Sequence, residues 1–548
     1  MTTVRELIAS RADDDNPALL FEDRSWTYRE YVQACVARAN YLLDNRVDGP
    51  FHIGVLLENV PDFPMWLGAA ALAGAVVVGI NPTRRGADLA RDINHTDCQL
   101  IITEQRYAPD LSGLALNVPR ERILDIDSAS YTQLLQPYVH STMPSVAVDA
   151  KDTYLLIFTS GTSGAPKACI CSQGRLALTA ENIVGRCNLN AGDVLYQVMP
   201  MFHSNTLMAA WAPALVAGAT SALRRKFSAS QFLSDISRFG ATYFNYVGKP
   251  LAFILATPEQ PDDADNSLLR IFGNEAAEQD RLEFSRRFGC EVTDGYGSTE
   301  GGVRLALDDS TPANAIGRAT PGVAILDAQT GQPCAVAQFD AQGRLTNAEE
   351  AIGELVDTRG AAVFEGYWNN EEATRQRIRD GYFWSGDLAY RDANDIVYFA
   401  GRDSEWLRVD GENIAVTPIE RVISRHPDVV LACVYAVPDV VAGDSVMAAL
   451  QLREGAVFDA AGFTAFLRGQ GDFGTKWMPR YIRVEQELPV TQTNKILKHQ
   501  LRAERWNCPA PVWGQLERSG DHVRLSAEDR RELDRSFELR GRAQVLSL

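Results

Sequence analysis

The chain is short of the residues that staple small folds or hold structural metals. Its nine cysteines are odd in number and scattered from Cys35 to Cys508. The closest pair, Cys169 and Cys171, is spaced C-x-C rather than the C-x-x-C of redox or zinc sites. Only seven histidines are present, and they form no H-x-x-x-H or comparable ligand set. A disulfide framework or a structural metal is therefore not expected. Basic residues are also few: 53 Lys and Arg stand against 71 Asp and Glu, a formal net charge of −18. This argues against a nucleic-acid binder, whose affinity comes largely from basic groups neutralising phosphates. Small anionic ligands stay open, because they need only one local positive pocket. No apolar run is long enough to span a bilayer: Trp66 to Ile80 has about 15 residues against the roughly 20 required. The opening MTTVRELIASRADDDN has no apolar core after a basic end, so no signal peptide is expected. Repeats of fixed period and low-complexity segments are likewise missing. A soluble, cytoplasmic protein is the expectation.

What is present is length. A chain of 548 residues exceeds the roughly 250–300 at which single cores stop growing, so at least two domains are expected. Apolar residues at 46% and charged residues at 23% describe an ordinary globular balance. Tyr28 to Leu43 carries apolar residues at helical spacing, with Thr27 as its candidate N-cap. HIGVLL (from His52), AVVVGI (from Ala75), LIIT (from Leu100) and YLLIFT (from Tyr154) have strand length, and a buried helix is expected over Phe63 to Ala73. Strand, helix and strand in that order suggest parallel β-α-β units covered on both faces. After Gly401 the pattern changes to a small α+β unit, with a helix from about Thr417 to Arg425 and strands at Val429 to Val437 and Val446 to Arg453. The expected division is 1–402, a hinge at Asp403 and Ser404, a second domain over 405–505, and a peripheral, Arg-rich tail over 506–548.

Four constellations can carry chemistry. In Thr159-Ser160-Gly161-Thr162-Ser163-Gly164-Ala165-Pro166-Lys167, two glycines let backbone N–H groups approach a ligand, hydroxyls donate to anionic oxygens and Lys167 adds charge. It is not a Walker A loop, because its second glycine comes too early, and composition alone weighs phosphate binding evenly against an ordinary flexible loop. In Asp294-Gly295-Tyr296-Gly297-Ser298-Thr299-Glu300-Gly301-Gly302, an aromatic face between glycines suits a nucleobase. Thr299 and Glu300 offer hard oxygen ligands to a phosphate and Mg²⁺. Taken alone, this stretch reads first as a glycine-rich turn with one buried, paired Glu. Ser385-Gly386-Asp387, with Gly401-Arg402 beyond it, places a carboxylate on a tight turn, a usual way to hold ribose hydroxyls. Pro489-Val490-Thr491-Gln492-Thr493-Asn494-Lys495-Ile496 contains one lysine that by itself reads as a surface residue.

Order and spacing of the four together resemble the adenylate-forming superfamily, that is, acyl-CoA synthetases, peptide-synthetase adenylation domains and insect luciferases. The resemblance runs from about residue 15 to residue 505. Tyr246-Val247-Gly248, Phe272-Gly273-Asn274 and Arg408-Val409-Asp410-Gly411-Glu412-Asn413 are similar to the fatty-acid-transport-protein branch and its bacterial long-chain ligases. The resemblance implies an α/β fold: a large N-terminal domain of mixed sheets packed with helices, and a small, mobile α+β C-terminal domain. It implies Lys495 as the catalytic lysine, Glu300 as the Mg²⁺ ligand with Thr299 on the phosphate, and Asp387 and Arg402 on the ribose. Tyr296 and the stretch Gly273, Asn274, Glu275 and Ala276 enclose the adenine, and the 294–298 and 159–167 loops complete the ATP site. His203 borders the acyl pocket, with Trp211, Tyr243, Phe244, Tyr246, Gly301, Gly302 and Val303 as further wall candidates. Trp211 and Phe244 read equally as plain core. The RVDGEN residues Arg408, Gly411, Glu412 and Asn413 are the candidate CoA contacts. Three positions depart from the family pattern: Asn494 stands where Gly usually precedes the lysine, Ser404 stands at the hinge, and Glu275 replaces a small residue beside the adenine.

The activity so implied is AMP-forming acid–thiol ligation. A hydrophobic acid, long-chain fatty or sterol side-chain, is activated by ATP and Mg²⁺ to an acyl-adenylate and then transferred to CoA. A freestanding enzyme that loads a separate carrier protein shares all four motifs, whereas a carrier domain within the chain is not expected after Lys495. A non-catalytic nucleotide or fatty-acid binder is the reading from another class, and Lys495, Glu300 and Asp387 together argue against it. Glycines after Glu300 are expected to leave room for a long or bulky tail. Oligomeric state stays open, a homodimer included.

Overall fold

The computed structural model describes all residues except 160–165, 308–310, 313–314, 342–344, 361–362, 403–405, 410–411, 442, 472, 475, 492–494, 516–520 and 547–548. Local signals set the elements where the sequence is self-sufficient. Thr27 Oγ1 accepts from Glu30 N at 3.2 Å and Glu30 Oε2 accepts from Thr27 N at 2.8 Å, a reciprocal capping box that starts the helix Tyr28–Asp44. The helix Asp62–Ala73 ends on Gly74 at φ 68°, where a left-handed residue closes the last turn.

The four apolar runs are neighbours in one six-stranded sheet. Its order is Ile123–Asp125, Cys98–Thr103, His52–Leu56, Val76–Gly79, Thr153–Thr159 and Lys167–Ser172. All pairs are parallel except the last. Every residue of His52–Leu56, Val76–Gly79 and Cys98–Thr103 is buried, as expected for parallel strands covered on both faces. A seven-stranded sheet follows in the order Glu291–Asp294, Arg270–Asn274, Tyr243–Val247, Val194–Gln197, Thr220–Leu223, Pro17–Phe21 and Arg24–Thr27, parallel but for the last pair. A third, antiparallel sheet is built mainly from Gly353–Asp357, Tyr382–Arg391 and Ile396–Arg402. The segment after Phe364 stitches it to the first sheet, since Ile170 N donates to Gly366 O and Trp368 N to Ala168 O.

Beyond the third sheet, the hairpin Trp406–Val409 and Glu412–Ala415 precedes the helix Val416–Ile423 and the strand pair Val429–Pro438 and Asp444–Leu452. The expected hinge residues Asp403 and Ser404 lie outside the described residues. The stretch expected as a peripheral tail proves integral. Strand Val512–Gly514 pairs with Tyr481–Glu485, and Val523–Arg524 extends the same sheet to five strands. Trp506 is fully buried, stacks on Phe537 at 5.9 Å between ring centroids and donates its Nε1–H to Asp534 at 2.9 Å. The charged composition of this stretch concealed that its few apolar residues cover one sheet face. Among the described residues, no helix is long and apolar enough to cross a membrane.

Truncating Trp506 tests this packing. Trp506→Ala should destabilise the small domain by about 3–5 kcal/mol, the usual cost of emptying an aromatic site, read as a shift of its urea unfolding transition. A peripheral tail would leave that transition unmoved.

Candidate active site

Three sheets converge on one cleft, at the carboxyl ends of the parallel strands where open α/β sheets commonly bind ligands. From the first sheet come Thr159 and Lys167, paired in register at the ends of an antiparallel hairpin. The connecting residues Ser160, Gly161, Thr162, Ser163 and Gly164 lie outside the described residues. The flanking elements are two antiparallel strands, not a strand and a helix. That agrees with the absent Walker A spacing. The Lys167 ammonium is buried and lies 5.4 Å from the Tyr367 ring centroid. Burial first, and Arg377 second, lower its pKa, while Glu300 opposes them.

The second sheet supplies the residues expected on the adenine side. Gly273 sits where a Cβ would collide with Tyr246 O and the Tyr246 ring, so only glycine lets the two strands' ends approach there. Asn274 donates Nδ2 to Gly295 O and accepts from Asn205 at 3.4 Å, tying the strand end to the Gly295 turn. Asp294 accepts from the Tyr246 hydroxyl at 2.8 Å and from Ala276 N at 3.1 Å. Burial pushes its carboxyl up to about 6, and these two hydrogen bonds pull the other way. Glu300 accepts from the Tyr367 hydroxyl at 2.8 Å and from Thr159 Oγ1 at 3.5 Å. The Thr299 and Ser204 hydroxyls are 2.8 Å apart.

From the third sheet comes Asp387, which accepts from the Tyr296 hydroxyl at 2.6 Å. The expected adenine and ribose residues are therefore already joined to each other. The Arg402 backbone pairs with Asp387 in the strand register. Arg408, Glu412 and Asn413 take their places in the small domain's hairpin, while Gly411 lies outside the described residues.

The small domain delivers Lys495. Thr491 and Lys495 bond reciprocally, Thr491 N to Lys495 O at 2.8 Å and Lys495 N to Thr491 Oγ1 at 3.1 Å, which closes the turn presenting the lysine. Its Nζ reaches Glu275 Oε1 of the large domain at 2.8 Å. His203 lies near this pair. Its Nδ1 accepts from Asn205 N at 3.2 Å and so caps the short helix Ser204–Thr206. Burial first, and the Lys495 ammonium second, push the His203 imidazole down to about 4, with Glu275 opposing.

The expected acyl wall fares differently. A Cβ at Gly302 would overlap the Phe383 ring, and one at Gly301, which has φ 70°, would meet Arg175. Those glycines admit close packing by neighbours rather than leaving an open space, which corrects the expectation. Tyr243 is fully buried with its hydroxyl on Ala209 O at 2.7 Å. Phe244 and Tyr246 sit in an aromatic core with Phe232. Trp211 and Val303 are also core residues. Sequence reasoning missed Tyr367 and Arg377. The Tyr367 hydroxyl serves Glu300 and accepts from Arg377 Nε at 3.4 Å, so one tyrosine links the Glu300 carboxylate to two cations. A lone G-Y-W and a lone arginine carry no signal in one sequence.

The profile of the AMP-binding enzyme family fits residues 8–368, and that of the AMP-binding enzyme C-terminal domain fits 418–495. The chain belongs to the AMP-binding enzyme family. Among its relatives, this AMP-binding enzyme is 48% identical to steroid-22-oyl-CoA synthetase of Rhodococcus jostii, over 100% of the chain and 99% of that protein. It is 46% identical to the medium/long-chain-fatty-acid–CoA ligase FadD17 of Mycobacterium marinum, over 93% and 98%. In fold it is similar to the anthranilate CoA ligase AuaEII in complex with anthranoyl-AMP, with TM-score 0.80, 22% identity, and coverage of 92% of this chain and 97% of that one. It is also similar to ATP-bound MatB of Rhodopseudomonas palustris, with TM-score 0.78, 23% identity, and coverage of 92% and 99%.

The depressed His203 pKa has a stability consequence. The fold favours the neutral imidazole, so this contribution is complete above pH 6.5 and is lost as pH falls toward 4. His203→Asn keeps a capping acceptor and removes the titration. Its urea midpoint should fall less than that of the parent between pH 6.5 and 4; parallel curves would contradict the assignment.

Proposed function

We propose that this enzyme is a cytoplasmic ATP-dependent acyl-CoA ligase. It converts a hydrophobic carboxylic acid, a sterol side-chain acid or a long-chain fatty acid, to an acyl-adenylate and then to its CoA thioester. The observation that carries the reading is the delivery of Lys495 by the small domain to a large-domain cleft already furnished with Glu300, Asp387 and Lys167. The full-length similarity to a steroid-22-oyl-CoA synthetase, and to a medium/long-chain-fatty-acid–CoA ligase, supports the acid class and CoA as acceptor.

In the first step the carboxylate oxygen attacks the α-phosphorus of ATP and pyrophosphate leaves. Little covalent chemistry is asked of the protein, so positioning and charge neutralisation dominate. Lys495, a compact and movable ammonium, offsets negative charge at the phosphorus. Thr159 and Lys167 face the phosphates together with the loop between them, Asp387 and Arg402 hold the ribose, and Tyr296 lies along the adenine. Among the described residues no group of three or more His, Cys, Asp or Glu side chains is placed to hold a metal. The Glu300 carboxylate fits a Mg²⁺ ion that keeps waters and phosphate oxygens as its other ligands, which is how magnesium usually binds. That ion, when bound, neutralises phosphate charge. In the second step the small domain turns about Arg402–Ser404 and withdraws Lys495. The CoA thiol then attacks the acyl carbon, expelling AMP, with Arg408, Gly411, Glu412 and Asn413 on the CoA side.

Splitting the half-reactions tests the assignments. Lys495→Ala should slow adenylate formation by about 100- to 1,000-fold, the scale of losing one transition-state charge partner. It should largely spare thioester formation from supplied acyl-AMP, and equal loss in both would refute the role. Asp387→Ala should raise the ATP requirement about tenfold, and an unchanged requirement counts against ribose binding. AMP release assayed across fatty, aromatic and sterol acids, with and without CoA, identifies the acid. Turnover that needs a carrier protein instead of CoA would favour the carrier-loading alternative.

A further inference from the structure

Glu275 has a backbone conformation that its residue type does not favour. It sits just past the strand Arg270–Asn274 at φ 70°, in the left-handed region. A non-glycine residue stays there only where surrounding structure over-determines it, and such positions concentrate at functional sites. The conformation turns the Glu275 side chain toward the small domain, where Oε1 meets Lys495 Nζ at 2.8 Å.

The contact joins two separately folded parts of the molecule, 220 residues apart in sequence. It falls on the one lysine that the four-motif pattern assigns to the reacting phosphate. The neighbouring His203 is neutral at ordinary pH and adds no charge of its own beside the pair. The side chains remain 32% and 47% exposed, which keeps the pair weak enough for an incoming polyanion to break.

We propose that Glu275 is a positioning residue for adenylation: it docks the Lys495 ammonium, and with it the small domain, at the reaction cleft before nucleotide binds, and yields the lysine to the α-phosphate when ATP arrives. A carboxylate fixed there keeps the lysine's charge neutralised in the empty cleft and holds the ammonium close to where it acts. It also gives the second step a starting point, because the small domain must leave this contact before CoA is used.

The inference rests on Lys495 being the adenylation lysine, and the tests separate the two claims. In the nucleotide-free full chain, Lys495 is labelled with trinitrobenzenesulfonate and quantified by mass spectrometry, with exposed Lys151 as internal reference. Glu275→Gln should label Lys495 about two- to fivefold faster, the range expected for a partly exposed ion pair, and leave Lys151 unchanged. Pyrophosphate–ATP exchange at subsaturating ATP should slow by a similar factor, and by clearly more than thioester formation at saturating supplied acyl-AMP. Glu275→Asp should recover part of the exchange rate. Glu275→Gly removes the carboxylate while relieving the left-handed conformation, so its loss cannot be laid to backbone strain. Unchanged labelling, unchanged exchange, or equal slowing of both half-reactions in Glu275→Gln and Glu275→Gly each overturn the proposal. Failure of Lys495→Ala to lose adenylation would instead overturn the lysine's assignment.

Discussion

The cleft is completed by a charge carried across a domain joint. Lys495 belongs to the small domain, and everything that gives it a role belongs to the large one: Glu275 at 2.8 Å, the nearby His203, and the cleft holding Glu300 and Asp387. An ammonium on a flexible stem is effective only if something fixes where it stops. The two Thr491–Lys495 hydrogen bonds, one to a backbone carbonyl and one to the threonine hydroxyl, and the Glu275 carboxylate do so from opposite sides of the joint. A centre built within one core would be more rigid, but it could not be withdrawn between two chemical steps.

The same economy of charge resolves an apparent contradiction. A chain with net charge −18 binds ATP and CoA, both strongly anionic, because the cleft is locally arranged rather than globally basic. Its carboxylates are already satisfied. Glu300 is held by Tyr367, Asp387 by Tyr296 and Asp294 by Tyr246, so each of these three carboxylates accepts from a tyrosine hydroxyl. The Tyr296–Asp387 bond keeps the ribose-side carboxylate hydrogen-bonded in the absence of nucleotide.

Much of this was legible from residues whose signal is local. Thr27 announced a helix N-cap, and four apolar runs became four neighbouring strands. What escaped was set by tertiary neighbours. Gly302 looks like free space in a sequence, yet Phe383 from another sheet occupies it. Trp506 and Phe537 stand among charged residues, and only the five-stranded sheet shows that they cover one core. Tyr367 and Arg377 gain meaning from Glu300, some 70 residues away, and no periodicity connects them. Glu275 was visible as a departure from pattern, but its partner was not, because only folding sets it against Lys495.

All of these features serve attack of a substrate carboxylate on the α-phosphorus of ATP. The most direct test follows the oxygen. An acid labelled in both carboxylate oxygens with ¹⁸O is turned over with ATP, Mg²⁺ and CoA, and the products are read by mass spectrometry. The account predicts one heavy oxygen in AMP, one in the acyl-CoA carbonyl and none in pyrophosphate. Heavy oxygen in orthophosphate, with ADP as the other product, would contradict it.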